Sequence, residues 1–160
     1  MNIIAGNMYF VSNDFFDLIQ DPHLKRNYEA TKRPHYYAFK DMSTSLYWLV
    51  PCSSKVEKFE RIIEAKKAKK RSSDTIQIVN IFGKKSVLLF QDMFPITEKY
   101  ISEQYYKGGQ PVRITNPKIV KDLELLARQT IIMLHRGVRF TPTQPDVLRI
   151  EKLMLRELNM

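Results

Sequence analysis

Apolar residues along this chain switch between two periods, and each switch marks an element. Met8, Tyr9, Phe10 and Val11 form a short apolar run over 8–11 that reads as an opening strand. Ser12 or Asn13 then caps a short helix carrying Phe15, Phe16 and Ile19, which Asp21-Pro22 ends. A basic, polar connector occupies 23–34. The stretches 33–40 and 46–55 read as two strands joined by a turn over 41–45, because Tyr36, Tyr37, Phe39, Leu46, Tyr47, Trp48 and Val50 suit a pleated surface. Trp48, among such apolar neighbours, belongs to the core.

Ser54 and Glu57 have the spacing of a capping box, and Val56, Phe59, Ile62 and Ile63 line one face of the helix it would open. Residues 72–74 break that helix. The run 75–82 is a strand, and Gly83-Lys84 turns it into a second strand over 86–90, a hairpin expected to join the same antiparallel sheet. Pro95 reads as the start of a helix through Ile96, Tyr100 and Ile101, stopped by Gly108-Gly109. Asn116-Pro117 opens a long helix to Arg136 with Gly137 as terminator. Its apolar stripe is Ile119, Val120, Leu123, Leu126, Ala127, Thr130, Ile131 and Leu134, and His135 in its last turn reads as a cap or core-edge group. Residues 143–146 cap a final helix with Val147, Ile150, Met154 and Leu158 on one side.

Length adds that residues 1–160 form a single domain, long enough to bury about two-thirds of its unfolded surface. Charge adds more: 26 Lys and Arg against 17 Asp and Glu leave +9, which favours polyanions, nucleic acid first. No apolar run approaches the ~20 residues of a membrane span. The opening residues lack a signal-peptide pattern, so a cytoplasmic location is expected. Cys52 is the one cysteine, which excludes an internal disulfide and a Cys cluster for zinc. His23, His35 and His135 lack metal-ligand spacing, and the glycine-rich nucleotide loops are absent. Asp41, Glu57 and Glu60 are too few acids for a two-metal nuclease.

Five cations within 66–71 (Lys66, Lys67, Lys69, Lys70 and Arg71) exceed what a helix dipole requires and read as a phosphate-contacting tract. Lys25, Arg26, Lys32 and Arg33, with Tyr28 as a stacking surface, are either a solvated connector or an RNA-facing loop. RNA can be cut without a metal if one group takes the 2′-hydroxyl proton, another protonates the departing 5′-oxygen, and donors hold the added negative charge. The central stretch supplies His35, Tyr36, Lys40, Ser53, Ser54 and Lys55, with Lys58 a further candidate cation and His35 the best candidate for proton transfer. A helix starting at Ser54 would add backbone N–H groups. Each has a plainer reading: Ser54 as a helix cap, Lys55 as a solvated first-turn residue, Cys52 as a small buried side chain.

At these residues the chain resembles the ToxN/AbiQ superfamily of type III toxin–antitoxin endoribonucleases, and most of all its CptN branch. Arg33-Pro34-His35 resembles the family's strand opening. Val50-Pro51-Cys52-Ser53-Ser54-Lys55 resembles its Pro-Leu-Thr-Ser-Pro-Lys approach to a helix, and 80–84 through 93–96 its later hairpin and Met-Ile/Phe-Pro-Ile turn. The likeness spans about residues 8–140. It implies an α+β fold with an antiparallel, partly barrel-like sheet surrounded by helices, related to the Kid/MazF toxins. It also implies metal-independent cleavage to a 2′,3′-cyclic phosphate and a 5′-hydroxyl, with no cofactor. The implied partners are cellular or phage RNA and a repeated pseudoknot antitoxin RNA, processed and held in an RNA–protein assembly. By position, Ser53 stands for the family's catalytic Thr, Ser54 for its Ser, and His35 near a strand-start Lys. The family's Pro between Ser and Lys is missing, which brings Lys55 one residue early. Two rival readings are a non-catalytic RNA-binding regulator and a MazF/Kid-like toxin with a protein antitoxin.

Overall fold

Strand alternation decides the layers. In β1 (Met8–Val11), β2 (His35–Asp41) and β3 (Leu46–Ser53), successive side chains point to opposite faces, and nearly all are buried. Met8, Tyr36, Trp48 and Val50 enter one core, while Tyr9, Tyr37, Tyr47 and Leu49 enter another. The sheet is therefore covered on both faces. The computed structural model describes residues 1–28 and 32–160; residues 29–31 of the 23–34 connector lie outside the described residues.

Helix α1 (Asn13–Ile19) buries Phe15, Phe16 and Ile19 against the second core. The long helix α3 (Pro117–His135) covers the first, and α4 (Val147–Leu158) closes the second with Ile150 and Met154. Asn116 caps α3 as its sequence position requires, its Oδ1 accepting from the N–H of Lys118 at 2.9 Å. Asp146 caps α4 in the same way, accepting from the Arg149 N–H at 3.3 Å. The apolar stripes are narrower than expected, since Ile119 and Leu158 are exposed. Gly6 takes φ +94°, and a Cβ there would meet the Ile114 carbonyl oxygen at 2.9 Å, so only glycine lets the chain pass into β1 at this point.

β4 (Ile76–Ile81) and β5 (Lys84–Leu89) form the expected hairpin. The sheet runs β4-β5-β3-β2-β1, every neighbouring pair antiparallel, and continues with β7 (Ile101–Gln104) beyond β1. β6 (Phe94–Ile96) pairs with the other half of β3's free edge, placing Pro95 opposite Trp48. The helix expected from Pro95 is thus replaced by β6, a single 3-10 turn over Glu98–Tyr100, and β7. The reason is tertiary: Phe94 and Ile96 are fully buried in the second core, and a strand delivers both to it. A short hairpin of β8 (Tyr106–Lys107) and β9 (Gln110–Pro111) follows.

Residues 97–100 carry the chain from β6, beside β3, to β7, beside β1. Laid flat, those strands would be about 19 Å apart, at or beyond the reach of so short a link. The sheet therefore curves. It stays open, because no pairing among the described residues joins β6 to β7.

Helix α2 (Val56–Ala68) lies apart from both main cores. It buries only Phe59, in a small cluster with Ile76, Val87 and Leu89 of the β4–β5 hairpin. That hairpin turns through Phe82 and Gly83 at φ 54° and 72°. A left-handed conformation costs a residue with a Cβ roughly 1–2 kcal/mol, and Phe is an unusual occupant.

Candidate active site at the end of the central hairpin

β2 begins beside the end of β3, because the two strands pair antiparallel with His35 opposite Pro51. Arg33 reaches across this end, and its Nε–H donates to the Cys52 carbonyl at 3.0 Å. One residue on, Ser53 is half-buried, and Ser54 and Lys55 are exposed. The chain makes a tight turn here: the Lys55 N–H donates to Ser53 Oγ at 3.2 Å, and the Val56 N–H to the Ser54 carbonyl at 2.9 Å.

The expected capping box is absent. Helix α2 starts at Val56, its N-cap position is Lys55, and no side chain caps it. Ser54 and Glu57 have the right spacing, but the Ser53 turn moves the helix start past Ser54. The first N–H groups of α2 are left without a side-chain acceptor beside two serine hydroxyls and the Lys55 ammonium. Such an end suits an anion.

A further group lies close to Arg33, and no sequence motif points to it. Asp92, in the 3-10 turn after β5, is held beside Arg33, and its Oδ1 is buried without a hydrogen-bond partner. Burial raises its carboxyl to about 6, against the opposing pull of Arg33 and His23. This carboxyl thus comes from a distant part of the chain, where no spacing signal could connect it to Arg33. Burial lowers the Arg33 pKa from its ordinary value, and the charge of Asp92 partly restores it.

Of the expected site residues, two are buried and one lies at the far end of the hairpin. His35 lies at the correct end of the hairpin but is 2% exposed, packed between Phe16 and Phe94 with ring centroids 6.4 Å and 5.4 Å away. Burial, aided by Arg33, lowers its pKa to about 3, so it is a neutral core residue and not an exchanging base near neutrality. Tyr36 is wholly buried in the first core and offers no ring to RNA. Lys40 pairs with Tyr47 at the opposite end of the hairpin, about 20 Å from Ser53 at strand rise, with its ammonium 5.1 Å from the Tyr47 ring centroid. Strand direction separates Lys40 from the cluster that its sequence proximity suggests.

The basic residues also divide. Arg26 makes a two-pronged pair with Asp17 at 3.1 and 3.2 Å, and Lys32 pairs with Glu103 at 2.8 Å. Lys25 and Tyr28 are exposed. Lys58 sits on the first turn of α2, its ammonium 5.3 Å from the Phe59 ring. Lys66, Lys67, Lys69, Lys70 and Arg71 gather at the far end of α2, and none has a carboxylate within ion-pair distance among the described residues. His135, at the end of α3, instead joins two helices through Glu151 of α4 at 2.9 Å.

Among the described residues, no three His, Cys, Asp or Glu side chains gather at one point, and no helix is long and apolar enough to cross a membrane. No family model and no curated protein sequence matches the chain. Among solved structures, it is similar to AbiQ, described as a lactococcal anti-phage endoribonuclease belonging to the type-III toxin-antitoxin system. The TM-score is 0.73 at 13% identity, over 98% of this chain and 100% of that one, so the two share their α+β fold from end to end.

Proposed function

We propose that this chain is an endoribonuclease toxin that cuts RNA without a metal and is restrained by an antitoxin RNA, as a type III system. The observation carrying this reading is the uncapped start of α2 with Ser53, Ser54 and Lys55 around it. The shared fold with an anti-phage endoribonuclease supports it. In this reading the scissile phosphate sits on the α2 N–H groups and the two hydroxyls, while Lys55, Lys58 and the Arg33 guanidinium stabilise its growing charge. The 2′-oxygen attacks phosphorus as its proton leaves to Asp92, and the bond to the 5′-oxygen breaks. That oxygen takes a proton from the same pool of groups, leaving a 2′,3′-cyclic phosphate and a 5′-hydroxyl.

Asp92 takes the proton-transfer role that the sequence suggests for His35, because it is the group at this end that titrates near neutrality. The basic 66–71 tract and the exposed Lys25 and Tyr28 would hold RNA backbone and bases outside the cut. The antitoxin is then a repeated pseudoknot RNA in an RNA–protein assembly, and the branch CptN, in a cytoplasmic setting.

The test is purified protein, stripped of bound RNA, incubated with RNA in EDTA. The expected result is cleavage with cyclic-phosphate ends, reduced by at least about 100-fold in Ser53→Ala, in line with the loss of one charge-stabilising donor. Loss of cutting on chelation would refute the metal-free route, and full activity in Ser53→Ala the site. A discrete RNA that copurifies supports the type III arrangement; a small acidic protein in its place points to a MazF/Kid-like system. RNA binding without cleavage points to a regulator.

A further inference from the structure

The hairpin tip carries a residue that neither the core nor the turn explains. Phe82 takes the first central position of a two-residue turn, where the φ of 54° favours Asn, Asp or Gly. Four residues with a Cβ have positive φ in the described chain: Gln20, Ser45, Lys70 and Phe82. Only Phe82 is apolar, and it is 49% exposed, outside all three cores. No aromatic ring or cation stacks on it among the described residues. The chain thus holds a large ring in an unfavourable conformation and in water, where a smaller polar residue would fold better. Strain of this kind collects where a ligand is met.

The surroundings identify the ligand. Asn80, Lys84 and Lys85 are exposed on the strands flanking the turn, and Lys84 has no ion-pair partner among the described residues, while Lys85 reaches Glu60 at 3.6 Å. Along β5, Lys84 lies three residues from Val87, which pairs with Ser53. Lys84 is therefore about 10 Å and the tip about 15 Å from the phosphate site, roughly the reach of two or three nucleotides. An aromatic face next to exposed cations matches an unpaired base on a polyanionic backbone, whereas a protein partner would meet a wider apolar patch.

We propose that Phe82 is a stacking platform for an unpaired base of the substrate RNA, two or three nucleotides from the cut site, with Lys84 and Lys85 on the intervening phosphates. This rests on the endoribonuclease reading and adds to it a base subsite on the second hairpin. Stacking tolerates any base but favours those that leave the helix easily, so the platform selects single-stranded over paired substrate at that position.

The test is binding of short single-stranded 2′-O-methyl RNA, which lacks the attacking hydroxyl, together with thermal melting of each variant. Phe82→Asn should raise the melting temperature, since Asn-Gly suits this turn, and weaken binding about tenfold. Phe82→Leu should weaken binding similarly. Phe82→Trp should retain it and show indole fluorescence quenched by RNA, against the constant signal of buried Trp48. Unchanged affinity in Phe82→Asn would overturn the platform while wild-type cleavage leaves the nuclease reading standing. Full affinity in Phe82→Leu would replace stacking with a general apolar contact, and an unquenched Trp would also refute it. A wild-type protein that neither binds nor cuts RNA would overturn both readings together.

Discussion

The body of the molecule and its arm are built differently. The body, β1–β3 with β6, β7, α1, α3 and α4, is covered on both faces and buries Trp48, Tyr9, Tyr36 and Phe15 completely. The arm, α2 with β4 and β5, reaches the first core through Ile81 and Leu88, seats α2 on a separate cluster of four buried residues, and carries the free basic tract. The two meet where β5 pairs with the last two residues of β3, Cys52 and Ser53. The body supplies rigidity, the arm supplies charge, and the candidate site lies at their seam. A group at such a seam is held from one side by a packed sheet while its other side faces the exposed start of α2.

Core truncation should break this comparison most visibly. Trp48→Ala should cost about 4 kcal/mol and melt the whole chain. Phe59→Ala, at about 3 kcal/mol on the same scale, should instead open the arm locally. Amides of α2, β4 and β5 would then exchange faster while those of β2 keep their protection. Uniform loss of protection would show that the arm is not a separate unit.

Acid should distinguish body from seam. An unfolded imidazole titrates near 6.5, whereas folded His35 stays neutral to about 3. The unfolded chain then binds the extra proton, so His35 makes stability fall as pH drops from about 6.5 toward about 3. Asp92 acts in the opposite sense. Its folded value of about 6 exceeds the unfolded value near 3.9, so its contribution is lost as pH rises through about 4 to 6. His35→Gln should therefore reduce the drop in melting temperature between pH 7.5 and pH 5, and Asp92→Asn should enlarge that drop while raising stability at pH 7.5. The expected size is about 1.4 kcal/mol per unit of pH within each window. Identical pH profiles in the variants and wild type would refute the burial argument.

The arm's charge should have the smallest effect on folding. Lys67→Ala with Lys70→Ala should change stability by less than about 0.5 kcal/mol, as exposed substitutions do. The same pair should flatten the dependence of RNA affinity on log salt by about 0.7 for each phosphate that is no longer neutralised. An unchanged slope would remove the tract from the RNA path.

Much of the fold was legible because its signals are local. The apolar run at 8–11 and the Asn116-Pro117 cap each act within a few residues, and both elements stand where their signals placed them, while the turn expected at Gly83-Lys84 falls one residue earlier, at Phe82-Gly83, because Lys84 pairs with Ile81. Pro95 misled because its helix-start signal is also compatible with a buried edge strand, and the pairing that chose between them comes from β3. At the site, Ser53, Ser54 and Lys55 were visible as neighbours in sequence. Asp92 was not, because its approach to Arg33 depends on the turn after β5. Lys40 was misplaced for the reverse reason: a hairpin sends residues that are close in sequence to opposite ends.

By itself, the sequence determined the net charge of +9, the apolar pattern that makes most strands and helices, and the polar group at 53–55. These follow from composition and from interactions within a few residues of one another. Tertiary structure alone decided that His35 is a neutral core residue, that Asp92 comes close to Arg33, and that the arm pairs with the sheet through Cys52 and Ser53. Burial and strand pairing are long-range properties, and it is burial that sets which of two titratable groups remains available near neutral pH.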